Sequence, residues 1–169
     1  MSKIITLFSS ARRNGNTGKL VDSLAERVNM DIVNLDTANI APFDYDNKNN
    51  DDDFLPLMEK VLTYEHIIFA SPVYWYSVSP GMKIFLDRIS DLLIFPELLD
   101  TGRKLRGKYA YIVSTHYQFS STFNDAFLKT FDYLGMHYGS SLHINCTEEF
   151  DFAENEKEIT GFADNLARL

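Results

Sequence analysis

Cysteine is almost absent from this chain. Cys146 is the only one in 169 residues, so an intrachain disulfide is impossible and a cysteine-rich metal site is excluded. No apolar run near the N-terminus is long enough for a signal peptide, and none approaches the ~18 residues of a membrane span. Those absences lead us to expect a cytoplasmic protein. Positive charge is also in short supply: 16 Lys and Arg against 24 Asp and Glu leave a net charge of −8. Such a balance argues against broad binding to nucleic acid or to an anionic membrane. There is no internal repeat, low-complexity tract or linker. Neither the G-x-x-x-x-G-K-[ST] nor the G-x-G-x-x-G fingerprint of phosphate and dinucleotide loops occurs.

What is present is a chain of single-domain length, 1–169, able to bury roughly 70% of the surface it would expose unfolded. Aromatic residues make up 14%, with 13 Phe and 9 Tyr, which suits either a bulky core or a site that stacks on flat rings. Apolar runs at 3–8, 31–35, 66–71, 109–114 and within 138–146 read as strands. Helical spacing covers about 17–29, 54–62, 81–93, 121–135 and the stretch around Ile159, Phe162, Ala163 and Leu166. Residues 95–107 read as a loop. Five strands alternating with helices predict an α/β fold: a doubly wound, five-stranded parallel sheet in a three-layer sandwich. Ligands of such sheets sit beyond the carboxyl ends of the strands, which singles out the loops 9–17, 71–80 and 114–120.

The first loop, Ser9-Ser10-Ala11-Arg12-Arg13-Asn14-Gly15-Asn16-Thr17, lies between a strand and a helix. That arrangement aims free N–H groups and a positive helix end at one point, which suits an anion. Hydroxyls (Ser9, Ser10, Thr17), amides (Asn14, Asn16) and two guanidinium groups (Arg12, Arg13) complete a set able to hold a phosphate monoester. Gly15 is expected to supply the turn. An ordinary polar connection that binds nothing is the alternative. In the second loop Pro72-Val73-Tyr74-Trp75-Tyr76 places three consecutive aromatics after a buried strand. They suit a flat conjugated ligand, gripped by stacking and by backbone N–H groups, or a hydrophobic contact between subunits. Asp51, Asp52 and Asp53 read as a solvated loop whose last member caps the following helix. Lys83, Asp87 and Arg88 read as helix-surface and intersubunit charges, and Cys146 as a buried filler.

Two motifs then carry a family resemblance. Ser10, Arg12, Gly15, Asn16 and Thr17 follow a pattern of the type S-x-R-x-x-G-N-T. Pro72-Val73-Tyr74-Trp75, followed by Lys83, Phe85, Asp87 and Arg88, follows P-V-Y-W with a Lys-x-Phe-x-Asp-Arg helix. Together, in order and at the correct strand ends, they resemble the NADPH-dependent FMN reductases, flavodoxin-like flavoproteins that include quinone, azo and nitro reductases. The resemblance implies FMN as cofactor and NAD(P)H as co-substrate. It also implies ping-pong transfer to a small acceptor, such as a flavin, quinone, azo or nitro compound, and a homodimer. It assigns Ser10, Arg12, Asn14, Asn16 and Thr17 to the FMN phosphate. Pro72, Val73, Tyr74 and Trp75 fall to the isoalloxazine, and Thr115 and His116 to its pyrimidine end. The flavin does the chemistry, so no catalytic residue is expected, with His116 as a candidate proton donor. A flavodoxin-type electron carrier and a non-enzymatic module of the same fold are the competing readings. Some relatives carry an iron–sulfur cysteine cluster at 42–53, which this chain lacks.

Overall fold

The structure, a computed structural model, describes residues 3–169. Five strands, β1 (Ile4–Phe8), β2 (Met30–Asn34), β3 (His66–Ala70), β4 (Tyr109–His116) and β5 (His137–Asn145), form one sheet in the order β2-β1-β3-β4-β5. Every pairing is parallel. This is the flavodoxin-like order, and strand order reverses between β1 and β3, where a crevice opens for ligands.

The apolar runs divide between two faces because side chains alternate along a strand. Ile5 and Leu7, Ile67 and Phe69, and Ala110 and Ile112 point into one layer. They meet Phe54 and Met58 of α2 (Phe54–Val61), Met82 and Phe85 of α3 (Pro80–Arg88), and Phe123, Phe127 and Phe131 of α6 (Ser121–Leu134). Ile4 and Phe8, Ile68 and Ala70, and Tyr111 and Val113 point the other way. They meet Leu20, Val21 and Leu24 of α1 (Asn16–Ala25) and Ile159, Phe162 and Leu166 of α7 (Glu156–Ala167). Each fully buried Leu, Ile or Phe contributes about 1.5–3 kcal/mol, so β1 and β3, buried throughout, anchor both layers. The three-layer fold expected from the alternation is therefore the one observed.

Several expectations change. The helix expected over 81–93 is two, α3 and a short α4 (Asp91–Ile94), because Ile89 and Ser90 bond back three residues rather than four. The stretch 95–107 is not a plain loop but holds a 3₁₀ turn at Pro96–Leu98 and α5 (Leu99–Arg103). The third change concerns Arg88, which is not a surface charge. It is 1% exposed, and its Nε donates to Asp91 at 2.7 Å. It also pairs with Asp52 and donates to the carbonyls of Ala41 (2.9 Å) and Asn49 (3.0 Å), with its guanidinium 4.8 Å from the Phe54 ring centre. Asp52 is accordingly no solvated loop residue. Burial alone would raise its carboxyl, but hydrogen bonds from Arg88 and from the Phe54 and Ala41 N–H groups outweigh this and hold it below the usual carboxylate range. Asp53 does not cap α2 through its side chain; it accepts from Asn39 N–H at 2.7 Å, while Asp52 accepts from Phe54 N–H. Lys83 and Asp87 are a surface pair, as expected.

Candidate active site

The loops after β1 and β3 are locked to one another below the surface. Ser79, just before α3, donates to the Ser9 hydroxyl at 2.8 Å, and its N–H donates to the Ser71 hydroxyl at 2.9 Å. Ser9 in turn donates to Asp36 at 2.9 Å, and the other Asp36 oxygen accepts from Ser10 N–H at 2.7 Å. Ser9, Ser71 and Ser79 are essentially fully buried, so this network replaces apolar packing with satisfied hydrogen bonds. Gly81 is required beside it: a Cβ there would stand 2.4 Å from Asp36 and 2.7 Å from Ser9. Asp36, in the turn after β2, had no motif to reveal it in the sequence.

Above this network lies an open cleft beyond the ends of β1, β3 and β4. It is walled by Ser10, Arg12, Asn16 and Thr17 on one side, Pro72, Val73 and Tyr74 on the second, and Thr115, His116, Tyr117 and Cys146 on the third. The three loops predicted to converge do so. Two predicted residues do not reach the wall. Asn14 sits exposed on the outer turn of the first loop, and Trp75 projects into solvent, 93% exposed.

On the first wall α1 begins at Asn16, and the first intrahelical bond runs from Lys19 N–H to the Gly15 carbonyl at 2.9 Å. The N–H groups of Asn16, Thr17 and Gly18 are thus the unpaired donors of a helix start, pointing where a positive helix end favours an anion. Arg12 stands beside them with no ion pair among the described residues. Gly15 adopts an extended backbone (φ −77°, ψ −176°), not a left-handed turn, though a Cβ there would press to 3.2 Å from the Arg12 carbonyl oxygen, while Gly18 is more tightly constrained. A Cβ at Gly18 would lie 1.7 Å from the Arg13 carbonyl oxygen.

Several polar side chains of the loop, two of them on the cleft wall, are already engaged by the fold. Asn16 donates to the Glu148 carbonyl at 2.8 Å and accepts from Phe150 N–H at 3.1 Å, clamping the segment after β5. Thr17 is buried against Thr115, hydroxyl to hydroxyl at 2.6 Å. Arg13 pairs with Asp22. Ser10 remains available, its hydroxyl 3.4 Å from that of Tyr74, which also accepts from Ala11 N–H at 3.3 Å.

The second wall is a tight two-residue turn. Tyr74 and Ser77 exchange N–H···O bonds at 2.9 and 3.0 Å. Trp75 and Tyr76 between them hold positive φ (47° and 66°), a conformation that costs bulky side chains about 1–3 kcal/mol each. Strain of this kind concentrates at functional loops. Val73 N–H is committed to the Thr115 carbonyl, so among the described residues the uncommitted donors here are the N–H groups of Trp75 and Tyr76, not those next to Pro72. On the third wall His116 has a buried Nδ1 with no partner, and burial lowers its pKa. Cys146 is half-buried, packed against the α1/α7 core layer as the expected apolar filler while also lining the cleft. Burial first, then Glu154, pushes its thiol pKa up, which keeps it protonated and a poor nucleophile.

An unpaired helix start, beside an arginine with no ion pair among the described residues, thus faces a strained aromatic turn across one cleft. A sequence model described as NADPH-dependent FMN reductase matches residues 2–149. The chain belongs to the NADPH-dependent FMN reductase family. Within it, a Bacillus subtilis (strain 168) protein provisionally named NAD(P)H-dependent FMN-containing oxidoreductase YwqN is 28% identical over 119 residues. That alignment covers 66% of this chain and 65% of the relative, so the chain spans just under two thirds of that relative's length.

Solved structures agree on the fold. The Trp repressor binding protein from Bacillus subtilis superposes with a TM-score of 0.78 at 20% identity, covering 98% of this chain and 99% of the other. An FMN-dependent NADH-azoreductase from Bacillus anthracis, solved with FMN, gives 0.69 at 13% identity over 97% and 98%. Among the described residues no helix is long and apolar enough to cross a membrane, and no group of three or more His, Cys, Asp or Glu side chains is placed to hold a metal ion.

Proposed function

We propose that this FMN reductase family member is an FMN-dependent NAD(P)H oxidoreductase that passes hydride to a small acceptor, such as a flavin, quinone, azo or nitro compound. The observation that carries the reading is the single cleft in which unpaired donors of α1 and the free Arg12 face the Tyr74–Ser77 turn. The residues fit FMN. The N–H groups of Asn16, Thr17 and Gly18, the Ser10 hydroxyl and the Arg12 guanidinium would hold the phosphate, the last through a charge-assisted contact. Pro72, Val73, Tyr74 and Trp75 would border the isoalloxazine, with the Trp75 and Tyr76 N–H groups as its hydrogen-bond donors. Thr115 and His116 would meet the pyrimidine end.

When bound, FMN supplies reversible hydride acceptance, the chemistry no side chain of this protein can provide. The protein positions and shields it. Tyr74 leaves the Ser10 hydroxyl and the Ala11 N–H to a phosphate oxygen, or donates to that oxygen itself. His116, whose pKa burial lowers, presents a neutral imidazole able to exchange hydrogen bonds with, or take up a proton from, a molecule in the cleft. One cleft serves donor and acceptor in turn, which makes turnover ping-pong. Asn14 and Trp75 contribute from the rim, Trp75 by folding onto the cleft or by meeting a second copy in a homodimer. The 169 residues act as one cytoplasmic FMN-binding domain.

The test is a visible spectrum of the purified protein with FMN, before and after anaerobic NADH or NADPH. A bound-flavin band that bleaches within the turnover time is the expected result. A band that bleaches only with dithionite would indicate an electron carrier, and no bound band would remove the cofactor assignment.

A further inference from the structure

The aromatic residues around the cleft outnumber those the flavin assignment uses. The second wall carries Tyr74, Trp75 and Tyr76, and the third runs from His116 into Tyr117 and Phe119. These five are among the twelve large hydrophobic side chains exposed over the described residues, and they fall in two short segments, 74–76 and 117–119. Tyr74 and Tyr117 line the cleft itself, at 36% and 74% exposure. Phe119 sits edge-on to the His116 ring, 5.4 Å between centres, and also meets the His143 ring at 4.8 Å. Both segments are tied down at the backbone. The Tyr74–Ser77 turn closes on itself. On the third wall Cys146 N–H donates to the His116 carbonyl at 2.8 Å, and the Asn145 amide donates to the Tyr117 carbonyl at 3.4 Å. Rings held in water by a fixed backbone contribute little to the core. Apolar surface gathered around one concave site marks what binds there.

We propose that Tyr117 and Phe119 are specificity-determining residues for the electron acceptor, selecting a flat ring that stacks on the third wall over an inorganic oxidant. The inference rests on the reductase reading above. Pro72, Val73, Tyr74, Thr115 and His116 are the residues already given to the flavin, and Tyr117 extends the same wall one residue further toward solvent. A second flat molecule entering the cleft meets the Tyr117 ring on its way in, with Phe119 beside His116 behind it. Offset or edge-on ring pairs contribute about 0.5–1.5 kcal/mol each beyond the area they bury. A quinone, azo, nitroaromatic or flavin ring collects that preference; a metal complex does not. The chemistry balances without a further reagent. A quinone takes a hydride from reduced FMN and one proton from water, becomes the hydroquinone, and leaves FMN oxidised for the next NAD(P)H. Ferricyanide instead takes one electron per ion, two ions for each flavin, and the proton left from the hydride passes to water.

The experiment uses the full chain loaded with FMN and reduced anaerobically with stoichiometric dithionite, so that the acceptor step is read apart from the donor. Stopped flow follows flavin reoxidation by a naphthoquinone and, separately, by ferricyanide. Tyr117→Ala and Phe119→Ala are each expected to lower the naphthoquinone-to-ferricyanide rate ratio about fivefold to tenfold. Tyr117→Phe, which keeps the ring, should hold that ratio within about twofold. A second readout needs no turnover. Trp75 is the only tryptophan and stands at the rim of the cleft, so naphthoquinone added to the oxidised protein should quench its emission saturably. Binding read this way should be about fivefold weaker in Tyr117→Ala. An unchanged ratio in both alanine variants overturns the assignment, as does an equal loss in Tyr117→Phe. Emission that shifts with protein concentration alone, with no saturable quenching, makes the aromatic loops a contact between copies and overturns it too. Bleaching of the bound flavin by neither NADH nor NADPH removes the reductase reading itself, and the acceptor assignment with it.

Discussion

Arg12 lies on the cleft wall with nothing paired to its guanidinium among the described residues, whereas Arg88, at the far end of α3, is buried and saturated by Asp91, Asp52 and two backbone carbonyls. The two cations sit in the two motifs that mark the family, yet they do opposite work. Arg88 joins the 41–53 loop to α3 and is satisfied entirely from within. Arg12 is carried by a loop that is itself locked through Ser9, Asp36, Ser79 and Ser71, and its charge is the one we propose for the FMN phosphate. The difference teaches that a saturated charge is structural and an unsaturated one, on a rigid frame, is available for binding.

Breaking the saturated end should cost the most. Arg88→Ala leaves Asp52 and Asp91 buried without a cation, and such losses cost about 3–5 kcal/mol. Chemical denaturation should show that loss, and Arg88→Lys should recover only part of it, because one ammonium cannot meet two carboxylates and two carbonyls. Next comes Gly18→Ala, which forces the Arg13 carbonyl aside. We expect about 1–3 kcal/mol of destabilisation together with loss of FMN affinity in a fluorescence titration, since the displaced loop carries Arg12.

Arg12→Ala sharpens the contrast from the other side. Folding stability should stay within about 0.5 kcal/mol, while FMN affinity falls about tenfold to a hundredfold, the worth of one charge-assisted hydrogen bond. A stability loss comparable with that of Arg88→Ala would erase the distinction between the two arginines.

The same contrast extends to the imidazoles, with a smaller effect. His143 accepts from or donates to Ser114 at 2.6 Å through Nδ1, but its Nε2 is buried with no partner. Burial, and secondarily His116, lowers its pKa to about 4 from 6.5. The unfolded chain therefore takes up the proton first as pH falls. Stability is full above about pH 7 and declines between 6.5 and about 4. Allowing for partial solvent access, about 1–2 kcal/mol is lost across that window. Below it Asp52, whose carboxyl is held low by Arg88, begins to lose its own contribution. Denaturation midpoints measured from pH 7.5 to 4.5 should follow this slope, and His143→Gln should flatten it.

Much of this arrangement could be read from residue order. Apolar runs such as Ile67-Ile68-Phe69-Ala70 declare a strand covered on both faces, and alternation of strands with helices leaves few topologies. The three cleft loops followed from sheet geometry, because a doubly wound sheet opens where its strand order reverses. What could not be read was the direction in which individual polar side chains turn. Asn16 looks like a phosphate ligand but spends its amide on the backbone at 148 and 150, a partner more than a hundred residues away. Asp52 and Arg88 look solvated because nothing local shows that the 41–53 loop folds over α3. Asp36 carries no motif, yet it fixes the first loop. Trp75 belongs to the most recognisable tetrapeptide, but the turn's positive φ angles carry it away from the cleft wall.

The central claim is that the first loop and the start of α1 form a phosphate cradle with Arg12 as its charge. Calorimetric titration of the protein with FMN and with riboflavin, which lacks the phosphate, tests it most directly. We predict that FMN binds at least about a hundredfold more tightly than riboflavin, roughly 2.7 kcal/mol, and that Arg12→Ala removes most of that difference without changing riboflavin affinity. Equal binding of the two flavins would contradict the account.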